Sequence, residues 1–126
     1  MLVNSLFETT PPPSLRNSQP MDVVLWLLRQ RRRFRVVGAS MLPLLEAGTE
    51  VLINPAAYRQ RPPQPGDLVV AHHPHQPGLR LIKRVVYVDT GRCFLQGLNT
   101  AASTDSREFG LVSQQDILGQ VVCRFP

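Results

Sequence analysis

Two side chains stand out for the chemistry they could do together, Lys83 and Ser40. The chain has fourteen basic residues among 126, and Lys83 is its single lysine. A guanidinium keeps its proton at any ordinary pH, whereas an amine can lose it when buried. Along Leu81-Ile82-Lys83-Arg84-Val85, strand alternation puts Lys83 on one face with Leu81 and Val85. Poor hydration on an apolar face lowers an amine's pKa, and a neutral amine can act as a general base. The competing reading is a lysine snorkelling from a strand edge. Ser40 sits in Gly38-Ala39-Ser40-Met41-Leu42-Pro43, directly after a strand-like run. Small neighbours leave room for a substrate backbone to approach its hydroxyl. That hydroxyl is a poor nucleophile until a base takes its proton. No Asp-His pair is placed to complete a triad with it, and the plain alternative is that Ser40 caps the turn that follows. His72, His73 and His75 precede Pro77-Gly78 in a run of turn formers. Three imidazoles so close could hold a metal ion. Without a defined fourth ligand they are expected to be solvated, so no metal site is assigned.

The elements that must position these residues are short. Residues 1–20 contain Pro11-Pro12-Pro13 with Ser and Asn, and read as a flexible or extended tail. Residues 21–33 read as a short amphipathic helix with Asp22 as its N-cap and an Arg-rich end, Arg29 to Arg33. It could pack on the body, touch an anionic membrane surface weakly through Arg29–Arg35, or dock a partner. From Phe34 onward the pattern is one of strands: Phe34–Val37, Glu50–Asn54, Asp67–His72, Arg80–Val88, Cys93–Leu98 and Ile117–Arg124. Turn formers separate them, notably Asn54-Pro55, Pro65-Gly66 and Thr90-Gly91. The expectation is a mostly β, compact antiparallel domain over residues 34–126, preceded by the tail and helix of residues 1–33.

Composition narrows the function. Residues 1–35 hold six Arg against Glu8 and Asp22, a net of +4, and residues 36–126 hold eight basic and seven acidic residues, a net of +1. The body is nearly neutral, which argues against nucleic-acid binding. Cys93 and Cys123 lie 30 residues apart in strand-like runs, as free thiols or as one disulfide. The longest apolar run, Val23 to Leu28, is far short of the about 20 residues that span a bilayer. The positive charges follow that run instead of preceding it, unlike a signal peptide. A soluble cytoplasmic protein is therefore expected.

Four motifs in order resemble the signal peptidase I family of serine peptidases. Gly38-Ala39-Ser40-Met41-Leu42-Pro43 is similar to its nucleophile motif, and Pro65-Gly66-Asp67-Leu68-Val69-Val70 to its Gly-Asp strand start. Ile82-Lys83-Arg84-Val85-Val86 resembles its Lys-Arg motif, and Gly97 to Arg107 with Phe109-Gly110 resembles its last motif. The resemblance implies a fold like that of signal peptidases and LexA-type autopeptidases, with no cofactor. It also implies roles. Ser40 would be the nucleophile and Lys83 the general base, with the Ser40 backbone N–H as oxyanion donor. Ser103 would orient the lysine, and Asp105 and Arg107 would support the site. Two positions depart from the family pattern. Gly38 stands where many members have Ser or Thr as a second oxyanion donor, and Leu98 stands where Asp is usual. Loss of one such donor typically slows a reaction about 100- to 1,000-fold.

Among family members, the short chain is most similar to the nickel-type superoxide dismutase maturation proteases. That resemblance implies a precursor protein as partner and removal of its N-terminal extension. The alternatives are a membrane-surface signal peptidase relative processing exported proteins, a LexA-like self-cleaving regulator, and a non-enzymatic module of the same fold.

Overall fold

The computed structural model describes residues 13–126, so most of the proline-rich tail, residues 1–12, lies outside the described residues. Among the described residues, seven strands make one antiparallel sheet: β1 (Arg32–Arg35), β2 (Glu50–Asn54), β3 (Leu68–His72), β4 (Arg80–Asp89), β5 (Arg92–Gln96), β6 (Val112–Ser113) and β7 (Ile117–Phe125). Their order across the sheet is β1-β2-β7-β3-β4-β5-β6. The mostly β expectation holds. The hairpin between β4 and β5 shows how local chemistry sets register. Thr90 and Gly91 both have positive φ, 48° and 75°. That combination belongs to the two-residue turn whose twist matches paired strands. It brings Asp89 opposite Arg92.

The central strand β3 is apolar on both sides because the curled sheet buries both. Leu68 and Val70 join one hydrophobic cluster with Met41, Leu45, Val51 and Ile53. Val69 and Ala71 join a second with Val85, Cys93, Leu95 and Val112. Alternation along β3 thus feeds two cores, and Lys83 lies opposite Val69 in the β3–β4 ladder. Cys93 and Cys123 are free buried thiols in different strands, and burial pushes both upward in pKa.

The N-terminal helix differs from the expectation of residues 21–33. Helix α1 spans Pro20–Leu27, with Gln19 as N-cap and Asp22 in its first turn. Asp22 accepts from the Gln19 backbone N–H at 2.7 Å and from both terminal nitrogens of Arg16 at 2.6 and 2.8 Å. Proline fits the first helical position, since its missing N–H would have no partner there. The helix stops because Arg29 adopts a left-handed φ of 63°. The arginines that follow are then free to enter β1, where Arg33 donates to Glu50 at 2.6 Å. Beside the same arginine, Trp26 packs on Phe125, the register partner of Glu50, with ring centroids 5.0 Å apart.

Candidate active site

Each side chain of the site arrives on a different piece of this frame. Ser40 opens a turn that follows β1, held down by Met41 and Leu45, both fully buried in the first cluster. The backbone holds that turn from the far side as well: Asn99 N–H donates to the Ser40 carbonyl at 2.8 Å, and the Asn99 side-chain amide donates to the Ala39 carbonyl at 3.1 Å. Lys83 comes from the middle of β4, 4% exposed. Ser103 and Asp105 come from the loop between β5 and the short helix α2 (Ser106–Phe109).

These residues form a connected chain of hydrogen bonds. Lys83 Nζ donates to Ser103 Oγ at 3.0 Å, and Ser103 Oγ donates to Asp105 Oδ2 at 2.8 Å. Asp105, wholly buried, also accepts from the Gly97 N–H at 3.1 Å. Arg107 completes the chain: its Nε meets Asp105 Oδ1 at 2.8 Å and its Nη2 meets Oδ2 at 3.0 Å. Because Ser103 spends its proton on Asp105, its oxygen is left to accept from the lysine.

The charges are balanced in a way that matters for the amine. Burial would raise the Asp105 pKa, yet hydrogen bonds from Arg107, Ser103 and the Gly97 N–H hold it down at about 2. Burial also lowers the Lys83 pKa; the Asp105 carboxylate pulls it back up and Arg107 pushes it down again. Desolvation is the largest of these, so the lysine is biased toward the neutral amine. A neutral amine giving one N–H to Ser103 keeps a lone pair that can take a proton.

Ser40 and Lys83 line one cleft of about 690 Å³. No direct hydrogen bond joins their side chains among the described residues, a looseness common in unliganded sites. No acceptor takes the Ser40 backbone N–H among those residues either, which leaves it available to an oxyanion. Gly38 adopts a φ of +82°, and a Cβ there would meet nothing within 4 Å. Its conformation, not crowding, is what favours glycine at that position.

Among the described residues, the cleft has two unpaired backbone edges. Among those residues β1 pairs only with β2, and β5 joins β4 only from Arg84 onward, so Arg80 to Lys83 has no partner strand on that side. An extended peptide can add to such edges through main-chain hydrogen bonds. Exposed Val37 and Leu79 supply apolar wall between them.

Two contributors escaped the sequence reading. Asn99 is one. Gly97 is the other: a Cβ on it would stand 2.8 Å from the Ser40 carbonyl oxygen and 2.7 Å from Ser103 Cβ. Their place in the motif was visible, but their contacts depend on proximity across about 60 residues of chain. The histidines lie apart from this network. His73 Nδ1 accepts from the backbone N–H groups of His75 and Gln76, at 3.0 and 3.1 Å, and so closes its own loop. His75 Nε2 lies 3.2 Å from the Phe109 carbonyl, and His72 is opposite Arg80 in the β3–β4 ladder.

The chain belongs to the signal peptidase family of serine peptidases, peptidase S26, whose family profile matches residues 23–89 and 86–125. It is a serine peptidase. Among its relatives is a Synechocystis sp. protein described as "Probable signal peptidase I-1", 27% identical over 172 aligned positions covering 94% of this chain and 88% of the relative. That alignment is longer than the chain's own 126 residues, so the relative carries inserts. The mitochondrial ATP-independent inner membrane protease subunit 1b of Arabidopsis thaliana is 34% identical over 69% of this chain and 65% of its own length. Signal peptidase I of Pseudomonas aeruginosa is 31% identical over 69% of this chain and 39% of its own length.

Proposed function

We propose that this peptidase works through a Ser-Lys dyad and removes a short N-terminal extension from a precursor protein. The observation that carries this reading is the buried Lys83, held by a Ser103 hydroxyl already committed to Asp105, on the same cleft as Ser40. Ser40 Oγ attacks the scissile carbonyl carbon while its proton passes to Lys83 Nζ. The oxyanion that forms is met by the Ser40 N–H. Collapse breaks the C–N bond, and Lys83 returns the proton to the leaving amine. Water then attacks the acyl-serine with Lys83 again as base, freeing the new carboxylate. Asp105 and Arg107 hold Ser103 in place and balance the charge beside the lysine.

The finer part of the proposal is the precursor: nickel-type superoxide dismutase, processed in the cytoplasm. Its support is the resemblance to that group of maturation proteases. Co-expression with the dismutase precursor, scored by mass spectrometry, tests both parts. Processing is expected with the wild type, and a loss of at least about 100-fold with Ser40→Ala or Lys83→Ala. Undiminished cleavage by Lys83→Ala would remove the dyad; a precursor left whole by an enzyme that cleaves other peptides would remove only the dismutase assignment.

A second reading has its own observation. Met21, Val24, Leu27 and Leu28 of α1 and its C-cap are exposed, and the basic run Arg29 to Arg35 follows them. Such a face suits a membrane-surface relative of signal peptidase acting on exported proteins. No helix among the described residues is long and apolar enough to cross a membrane. Fractionation separates the readings: a membrane-bound pool released by high salt supports charge-held surface binding, and a wholly soluble pool supports the cytoplasmic one.

A further inference from the structure

The cleft that holds Ser40 and Lys83 is strongly one-sided in charge. Arg32, Arg33, Arg35 and Arg80 line it, and no Asp or Glu among the described residues does. Two of these arginines are directed elsewhere. Arg33 is bonded to Glu50 at 2.6 Å, and an Arg35 Nη2 would lie 3.8 Å from a Cβ placed on Gly48. Arg32 and Arg80 differ. Both are exposed, and each sets its guanidinium carbon 5.1 Å from the centroid of the Phe34 ring. Neither has a carboxylate within ion-pair distance among the described residues. His72, opposite Arg80, adds no negative charge.

The two guanidinium groups therefore lie within about 10 Å of each other, the Debye length at 0.1 M salt, and repel. The face of a ring offsets only part of that repulsion. A carboxylate received there would relieve it and gain charge-assisted hydrogen bonds. The two arginines also come from β1 and β4, the two strands whose open edges flank the cleft.

We propose that Arg32, Phe34 and Arg80 form a specificity subsite for an acidic residue of the peptide substrate. The inference rests on reading Ser40 and Lys83 as the reacting centre. Arg80 is three positions from Lys83 along β4, about 10 Å of extended chain, and Phe34 is six from Ser40, at most about 20 Å. An extended substrate has the same rise, so the carboxylate belongs about three to six residues from the scissile bond. The class of substrate is a precursor segment with Asp or Glu at that spacing.

The test uses the full chain as the Ser40→Ala variant and fluorescent, end-blocked Ala-rich dodecapeptides. One Glu is moved through the peptide, each against a Gln counterpart, and binding is read by anisotropy. One register of Glu is expected to bind about five- to tenfold tighter than Gln, a size fitting two exposed ion pairs. That difference should vanish with Arg32→Gln or Arg80→Gln and shrink in high salt. With Arg80→Glu, a Lys peptide in the same register should gain over Glu. No register with a Glu preference, no peptide binding at all, or a preference untouched by both substitutions overturns the subsite. Wild-type cleavage of the precursor keeps the outcomes apart. Cleavage without a Glu preference removes the subsite alone, whereas Glu-selective binding with neither the precursor nor the bound peptide cut by the wild type keeps the subsite and removes Ser40 and Lys83 as the reacting centre.

Discussion

At the scale of single residues, the proposed dyad requires one amine to be neutral beside a carboxylate. Asp105 is needed to hold the Ser103 hydroxyl, yet its charge favours a protonated Lys83. Arg107 resolves the conflict, because it sits on the same carboxylate and pushes the lysine pKa down. Arg107→Gln leaves the Asp105 charge uncompensated, and the Lys83 pKa rises. The proposed base must be unprotonated to act, so the acid limb of the kcat/KM profile should move to higher pH. At neutral pH the loss should stay below the about 100- to 10,000-fold that a positioned base contributes, and raising the pH should recover much of it. A variant uniformly slow at every pH would mean that Arg107 only shapes the loop.

Among the elements, the turn at Ser40 and the loop after β5 have to meet, and glycine permits it. Gly97 lies between Ser103 and the Ser40 carbonyl with no space for a Cβ, while its N–H serves Asp105. Gly97→Ala must therefore displace Ser103, the Ser40 turn, or both. Displacement of about 1 Å at a reacting centre can cost about 100-fold in rate. The overpacking itself should cost about 1–3 kcal/mol of stability. Steady-state kinetics with urea unfolding reads both; full activity would show that the two loops need no such close approach. This crowding was not legible in the sequence, where Gly97 is one glycine before an apolar residue. What was legible had a local cause. The ends of β2 follow from the apolar run Val51 to Ile53 between Glu50 and Asn54-Pro55, and the β4–β5 hairpin follows from Thr90-Gly91. The helix end was misplaced because Arg29 to Arg33 looks like a basic last turn, and nothing local announces the left-handed φ at Arg29. The two residues of β6 are too few to show a period.

For the whole molecule, the proposed use of Lys83 as a base carries a cost in stability. It is buried opposite Val69, on the face that Val85 shares, where an apolar side chain would pack without desolvating an amine. Its folded pKa is depressed, whereas the unfolded chain restores an ordinary lysine. Between the two values the unfolded state binds more protons, so folding is penalised there, and the penalty fades as pH rises toward that of a free lysine. Below the depressed value both states carry the proton and the penalty is largest. Lys83→Met removes the titrating group and keeps similar volume. It should raise stability at neutral pH by about 0.5–2 kcal/mol, a range common for substitutions that relieve a functional compromise, while abolishing cleavage. Urea unfolding of Ser40→Ala beside Ser40→Ala/Lys83→Met, from pH 6 to about 10, excludes self-cleavage from the comparison. The gap between them should narrow as pH rises. A double variant less stable at neutral pH would show that the bond to Ser103 outweighs desolvation, and that the fold depends on the lysine it was expected to tolerate.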